Sequence, residues 1–211
     1  MSRAVSRAGR AGAPRRLPRA ARREAILRAA TQAFAGAGYA ATSMADVARA
    51  SGITQLIVYR HFDSKEALYR AVLERVRDGL SAEFARGAEP GGFGLGAGSV
   101  LSAARRDPTG FRLLWRHAAR EPSFASYASD LREDAIASAR ASLARSVPGD
   151  SLEWAAHAVL GYLVEAVLNW LEFGDPAHDS RFVAATNAAM RAGVRVWSRA
   201  GRPGRRRKLP R

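Results

Sequence analysis

The sequence predicts an all-α protein, with a helix-turn-helix unit of three to four helices followed by a larger helical C-terminal domain. Three observations predict it. Apolar residues recur at three- and four-residue spacing along most of the chain. No segment alternates over the length of a strand. Proline and glycine pairs or clusters break the pattern between the periodic stretches.

The first helix begins near Ala20, carries Ile26, Ala30, Ala33, Phe34 and Ala37 at helical spacing, and stops at Gly38. Residues 39–42 connect it to a Ser43-x-x-Asp46 cap, which opens a short helix ending at Ser51. Gly52 supplies the positive φ that a helix-to-helix turn requires. Thr54, read as a cap, starts a second short helix that ends in Tyr59-Arg60-His61-Phe62. Two short helices joined by a glycine turn form a helix-turn-helix over 43–62, whose second helix is shaped to enter a DNA major groove. Asp63-Ser64-Lys65-Glu66 reads as a capping box for a longer helix with Leu68, Tyr69, Val72, Leu73, Val76 and Leu80 on one side, closing the unit near residue 80.

Residues 87–98 hold six glycines and a proline, the composition of a hinge or interdomain loop. Beyond it helices are predicted at about 98–106, 108–119, 122–145, 151–173 and 178–199, separated by Asp107-Pro108, Glu121-Pro122, Pro148-Gly149 and Gly174-Asp175-Pro176. The 151–173 helix carries two adjacent apolar stripes, Val159, Leu163, Ala166, Trp170 and Leu160, Val164, Val167, Leu171. A stripe that wide suits a helix central in its domain or one shared with a second subunit. Ala185, Ala188 and Ala192 on the last helix permit close approach, and the two helices from each of two chains would form a four-helix homodimer interface.

The net charge of +15 over 211 residues is concentrated at the ends. Residues 1–19 carry six arginines and residues 199–211 seven basic residues, neither stretch has an acid, and the body between keeps only +2 of the +15. Gly, Pro and Ala enrichment predicts that 1–19 and 200–211 are disordered basic arms, which either solubilise the protein or hold phosphates. The chain has no cysteine, which excludes disulfides, thiolate metal sites and cysteine nucleophiles. The basic N-terminus has no apolar signal-peptide core, and His157, Glu165 and Asn169 interrupt the longest apolar stretch, so a cytoplasmic protein without a membrane span is expected. His117 and Glu121 stand four apart without a third metal ligand, and no phosphate loop, dinucleotide motif or nucleophile–base arrangement is present. The sequence therefore predicts neither a cofactor nor an enzyme.

Several strings carry a further identification. Ala25-Ile26-Leu27-Arg28-Ala29-Ala30, Phe34, Gly38-Tyr39, Thr42-Ser43, Asp46-Val47-Ala48, Ser51-Gly52-Ile53-Thr54, Val58-Tyr59-Arg60-His61-Phe62 and Ser64-Lys65-Glu66-Ala67-Leu68-Tyr69 resemble the tetracycline-repressor (TetR) family of bacterial regulators over about residues 20–80. The resemblance implies a DNA-binding domain at 20–80 and a ligand-binding and dimerisation domain at 81–199. It implies a homodimer on a double-stranded DNA operator and a small-molecule inducer. By the same resemblance Thr42 and Ser43 meet phosphate at the start of the first short helix, where hydroxyls and free N–H groups favour an anion. Tyr59 and Lys65 also contact the backbone. His61 either joins them or packs on Phe62. Thr54 is a cap or a contact, while Gln55, Leu56 and Arg60 face base edges, with glutamine suited to adenine, arginine to guanine and an apolar chain to a thymine methyl. Leu56-Ile57 is bulkier than the small residue that the family commonly has there.

In the C-terminal domain Phe111, Trp115, Phe124 and Tyr127, with Tyr162, Glu165 and Asn169 on a later helix, form the expected ligand pocket, the alternative being a plain aromatic core. Glu165 lies within an apolar helix and needs a partner, supplied by a ligand or by an arginine of a second subunit. A nonspecific, nucleoid-type DNA binder driven by the basic arms is the alternative function.

Overall fold

The computed structural model describes residues 17–87 and 96–200; the expected basic arms and glycine-rich hinge lie largely outside them. Among the described residues the chain is helical without strands. Helix α1 spans Arg19–Ala41, α2 Met44–Ala50, α3 Gln55–Tyr59 and α4 Lys65–Gly87. Gly38 has φ 82° and breaks α1, so residues 39–41 form a separate turn, as the glycine led one to expect. Ile26, Ala30 and Phe34 of α1, Val47 of α2, Val58 of α3, and Leu68, Tyr69 and Val72 of α4 are fully buried together. Phe34 meets Tyr69 edge-on at 4.9 Å.

The helix expected to close its unit near residue 80 continues beyond it. Helix α4 runs unbroken to Gly87, because Val76 and Leu80 bury into the second half of the molecule as Leu68 and Val72 do into the first. Arg75 sits where the halves meet. It bonds Glu24 and Thr31 of α1, each at 3.2 Å, and pairs with Asp107. Asp107 also caps helix α6, accepting from the Gly110 N–H at 2.8 Å. A Cβ on Gly110 would stand 2.5 Å from Asp107 Oδ2 and 2.6 Å from Val76, so only glycine fits this crossing. Phe124 closes the same junction, with ring centroids 4.5 Å from Tyr69 and 5.1 Å from Tyr39.

The C-terminal half comprises α5 (Ala97–Arg106), α6 (Pro108–Arg112), α7 (Ala125–Leu143), α8 (Gly149–Phe173) and α9 (Asp179–Ala200). The single helix predicted over 108–119 is instead α6 followed by a π-helical turn at Leu113–His117 and a 3₁₀ turn at Ala118–Arg120. Pro122 opens another 3₁₀ turn before α7, which shortens the helix expected from 122. Helix α8 packs against α5, α7 and α9. Val159, Leu163, Leu160, Val164 and Val167 are all buried within the chain, so its wide apolar surface belongs to a helix central in its own domain. Ala166, Trp170 and Leu171 of the same stripes stay half-buried.

The candidate DNA-binding site

Helix α3 is only five residues long and must be held by its surroundings. Val58 is its anchor and is fully buried. Gly52, at φ 64°, turns the chain from α2, and the Ile53 N–H closes on the Ala48 carbonyl at 3.0 Å. The face of α3 away from the core then points out. Gln55, Leu56, Tyr59 and Arg60 are exposed on one surface, with Leu56 63% exposed.

Thr54 occupies the N-cap position, and its carbonyl accepts from the Ile57 N–H at 3.0 Å. Its hydroxyl makes no capping bond, which corrects the reading of Thr54 as a side-chain cap. Ser43 does cap as expected. Its hydroxyl accepts from the Asp46 N–H at 3.2 Å, and its own N–H donates to Asp46 at 2.9 Å. The same hydroxyl donates to the Asp46 carboxylate at 2.6 Å, and this bond, with the one from the Ser43 N–H and with Arg49 at 3.0 Å, holds Asp46 below the usual carboxylate range; neither Ser43 donor is left for a phosphate. Thr42 leaves the set of expected phosphate contacts. It is buried, and its hydroxyl donates to the Gly38 carbonyl at 2.7 Å, bracing the kink that Gly38 makes.

Lys65 combines two tasks. Its Nζ donates to the Tyr39 and Ala40 carbonyls at 2.9 and 3.2 Å and lies 4.4 Å from the centre of the Tyr39 ring. Two of its three protons thus tie α4 to the end of α1, leaving one for an anion. The predicted capping box at Asp63 is shifted by one residue. Ser64 caps α4 by accepting from the Ala67 N–H at 3.0 Å, while Glu66 pairs with Arg70.

A cationic cluster beside α3 was missed in the sequence. Arg19, Arg22 and Arg23 at the start of α1 surround His61, and Arg23 lies 4.9 Å from the Phe62 ring centre. None of the three has a carboxylate partner among the described residues. Burial, with these three positive charges, holds the His61 imidazole below its usual range. His61 also tilts against Phe62, their centroids 6.5 Å apart, which is the packing alternative for this residue. The signal in the sequence was a run of arginines continuing past the expected arm into the helix.

The expected ligand pocket is not assembled. Trp115 lines a cavity of about 280 Å³ between α4 and α7, and Phe111 a separate one of about 140 Å³ between α4, α5 and α6. Phe124 is core, and Tyr127 is half-buried outside both cavities. Tyr162, Glu165 and Asn169 face outward from α8, because their spacing places them opposite its two buried stripes. Glu165 pairs with Arg116 of its own chain at 3.4 Å, at an exposed position, so it carries no buried charge.

Comparisons with known proteins fit this geometry. Residues 26–72, covering α1 through the first turns of α4, match the family described as bacterial regulatory proteins, tetR family. The N-terminal unit is of the TetR type. The transcriptional activator FasR of Mycolicibacterium smegmatis is 45% identical over 65 residues, 31% of this chain and 30% of that protein. The Escherichia coli transcriptional repressor ComR is 41% identical over 66 residues, 31% of each chain. This chain thus matches under a third of the length of these relatives. A TetR-like regulator structure from Rhodococcus has the same fold over 89% of this chain and 100% of its own, with a TM-score of 0.70 at 22% identity. A transcriptional regulator from Aquifex aeolicus covers 81% of this chain and 98% of its own, with a TM-score of 0.65 at 18% identity.

Proposed function

We propose that this chain is a cytoplasmic, homodimeric transcription regulator, a repressor that reads its operator through α3 and releases it when a small molecule binds the C-terminal domain. One observation carries the reading: Val58 is locked into the core while Gln55, Leu56, Tyr59 and Arg60 stand open on the same short helix. Gln55, Leu56 and Arg60 supply base contacts. Tyr59, the remaining proton of Lys65, and His61 with its arginine neighbours supply phosphate contacts. The free hydroxyl of Thr54 is available to either. No described helix is long and apolar enough to cross a membrane.

The dimer reading rests on a face that the chain does not cover itself. Trp154, Tyr162 and Phe173 of α8 and Val196 of α9 are exposed large hydrophobics, beside an open row of Ala185, Ala188 and Ala192. A two-fold pairing there sets the two α3 helices for half-sites about 34–36 Å apart.

Selection of fragments of the source genome by the purified protein, followed by sequencing, tests the reading. A two-fold symmetric site with half-sites one helical turn apart is the expected result. Uniform recovery of all fragments would instead favour a nonspecific binder.

A further inference from the structure

The cavity between α4 and α7 carries a charge pattern that points to a class of ligand. Its volume of about 280 Å³ is nearly twice the ~150 Å³ of an apolar cavity that holds benzene, which suits two fused rings. Leu80, Phe84 and Trp115 give it apolar and aromatic walls. The α7 side differs, because Asp134, Ser138 and Ser142 recur at four-residue spacing along it. The Ser138 hydroxyl donates to the Asp134 carbonyl and the Ser142 hydroxyl to the Ser138 carbonyl, each at 3.0 Å. Both hydroxyls therefore offer the cavity only lone pairs. Arg77, on the opposite wall, is engaged by Asp78 through two bonds at 3.2 and 3.0 Å. Asp134 has no ion-pair partner among the described residues, so the cavity's uncompensated charge is a single carboxylate.

We propose that this cavity takes a ring-bearing organic amine, its ammonium group on Asp134 and the α7 hydroxyls, its rings between Phe84 and Trp115. The inference rests on the reading of the C-terminal domain as the ligand-binding half and names the chemistry of its ligand. A cation near the two aromatic faces gains further from their quadrupoles.

Titration calorimetry of the full chain with three molecules of one shape tests the assignment: 1-naphthylmethylamine, 1-naphthylmethanol and 1-naphthoate. The amine is expected to saturate one site per chain, the alcohol to bind about fivefold more weakly, and the carboxylate weaker still. Asp134→Asn, at an exposed position, should bring the amine down to the alcohol and leave the alcohol unchanged. Ala135→Trp, filling the cavity, should abolish all three; should it not fold, Asp134→Asn still decides. Equal affinities, a preference for the carboxylate, absence of binding, or an Asp134→Asn variant that keeps the amine preference would overturn the proposal. The same preparations are assayed on the selected operator. Intact operator binding without amine binding removes the cavity assignment alone, and amine binding without sequence-selective DNA binding removes the regulator reading alone.

Discussion

Leu56→Ala separates contact from stability more sharply than any other change in α3. Leu56 is 63% exposed, so folding leaves most of its surface in water. Complete burial of a leucine side chain is worth about 1.5–3 kcal/mol, and the exposed fraction leaves about 1–2 kcal/mol to be gained on DNA, or about 5- to 25-fold in affinity. Alanine is at least as good a helix former and forfeits little existing packing, so the melting temperature should move by less than about 4 °C. Fluorescence anisotropy at fixed salt would compare the selected operator, a scrambled duplex and an operator with uracil in place of thymine. The loss should appear on the operator and scarcely on scrambled DNA. Removing the relevant thymine methyl should weaken the wild type but not the variant. Equal weakening of operator and scrambled DNA, or a fall in Tm above about 8 °C, would refute the argument.

Phe124→Ala should cost about 3–5 kcal/mol in chemical denaturation, because it empties the contact between Tyr39 and Tyr69; a cost under about 1 kcal/mol would mean the junction collapses without it. His61 should make DNA binding strengthen as pH falls from about 7.5 to 5.5. Its imidazole is held below the ordinary value in the free protein, phosphate raises it, and the complex therefore takes up a proton. Folding stability should run the other way, complete above the ordinary histidine value and falling as pH drops through it; His61→Gln should flatten both profiles. Ala192→Asp, on the open face of α9, should yield folded monomers by light scattering and circular dichroism, and a persistent dimer would place the interface elsewhere.

What could be read in advance follows the range of the forces involved. Gly52 and Gly38 were legible because a positive φ is a property of one residue. The Ser43–Asp46 cap was legible because both partners lie within one turn. Thr54 and Asp63 were misjudged because a cap depends on the rotamer and on a one-residue offset that many sequences share. Thr42 was misjudged for a longer-range reason: the kink at Gly38 folds it inward against the Ala33 carbonyl. In the C-terminal half, nearness in sequence stood in for nearness in space. Phe111 and Phe124 are separated by a π turn and two 3₁₀ turns that no apolar period announces. The outward direction of Tyr162, Glu165 and Asn169 was already implied by the two apolar stripes beside them. Asp134, Ser138 and Ser142 gave no signal, since a polar row on a helix ordinarily faces water.

The position of Arg75 along α4 has a mechanical consequence. Lys65 lies ten residues before it and Phe84 nine after, or about 15 Å and 14 Å of helix. Bonds to Glu24, Thr31 and Asp107 fasten the helix at that point, so it behaves as a beam on a central fulcrum. A tilt of roughly 5° displaces each end by about 1.2 Å, in opposite directions, with almost no gain or loss between them. A wedge entering beside Phe84 would therefore be felt at Lys65 at nearly full amplitude.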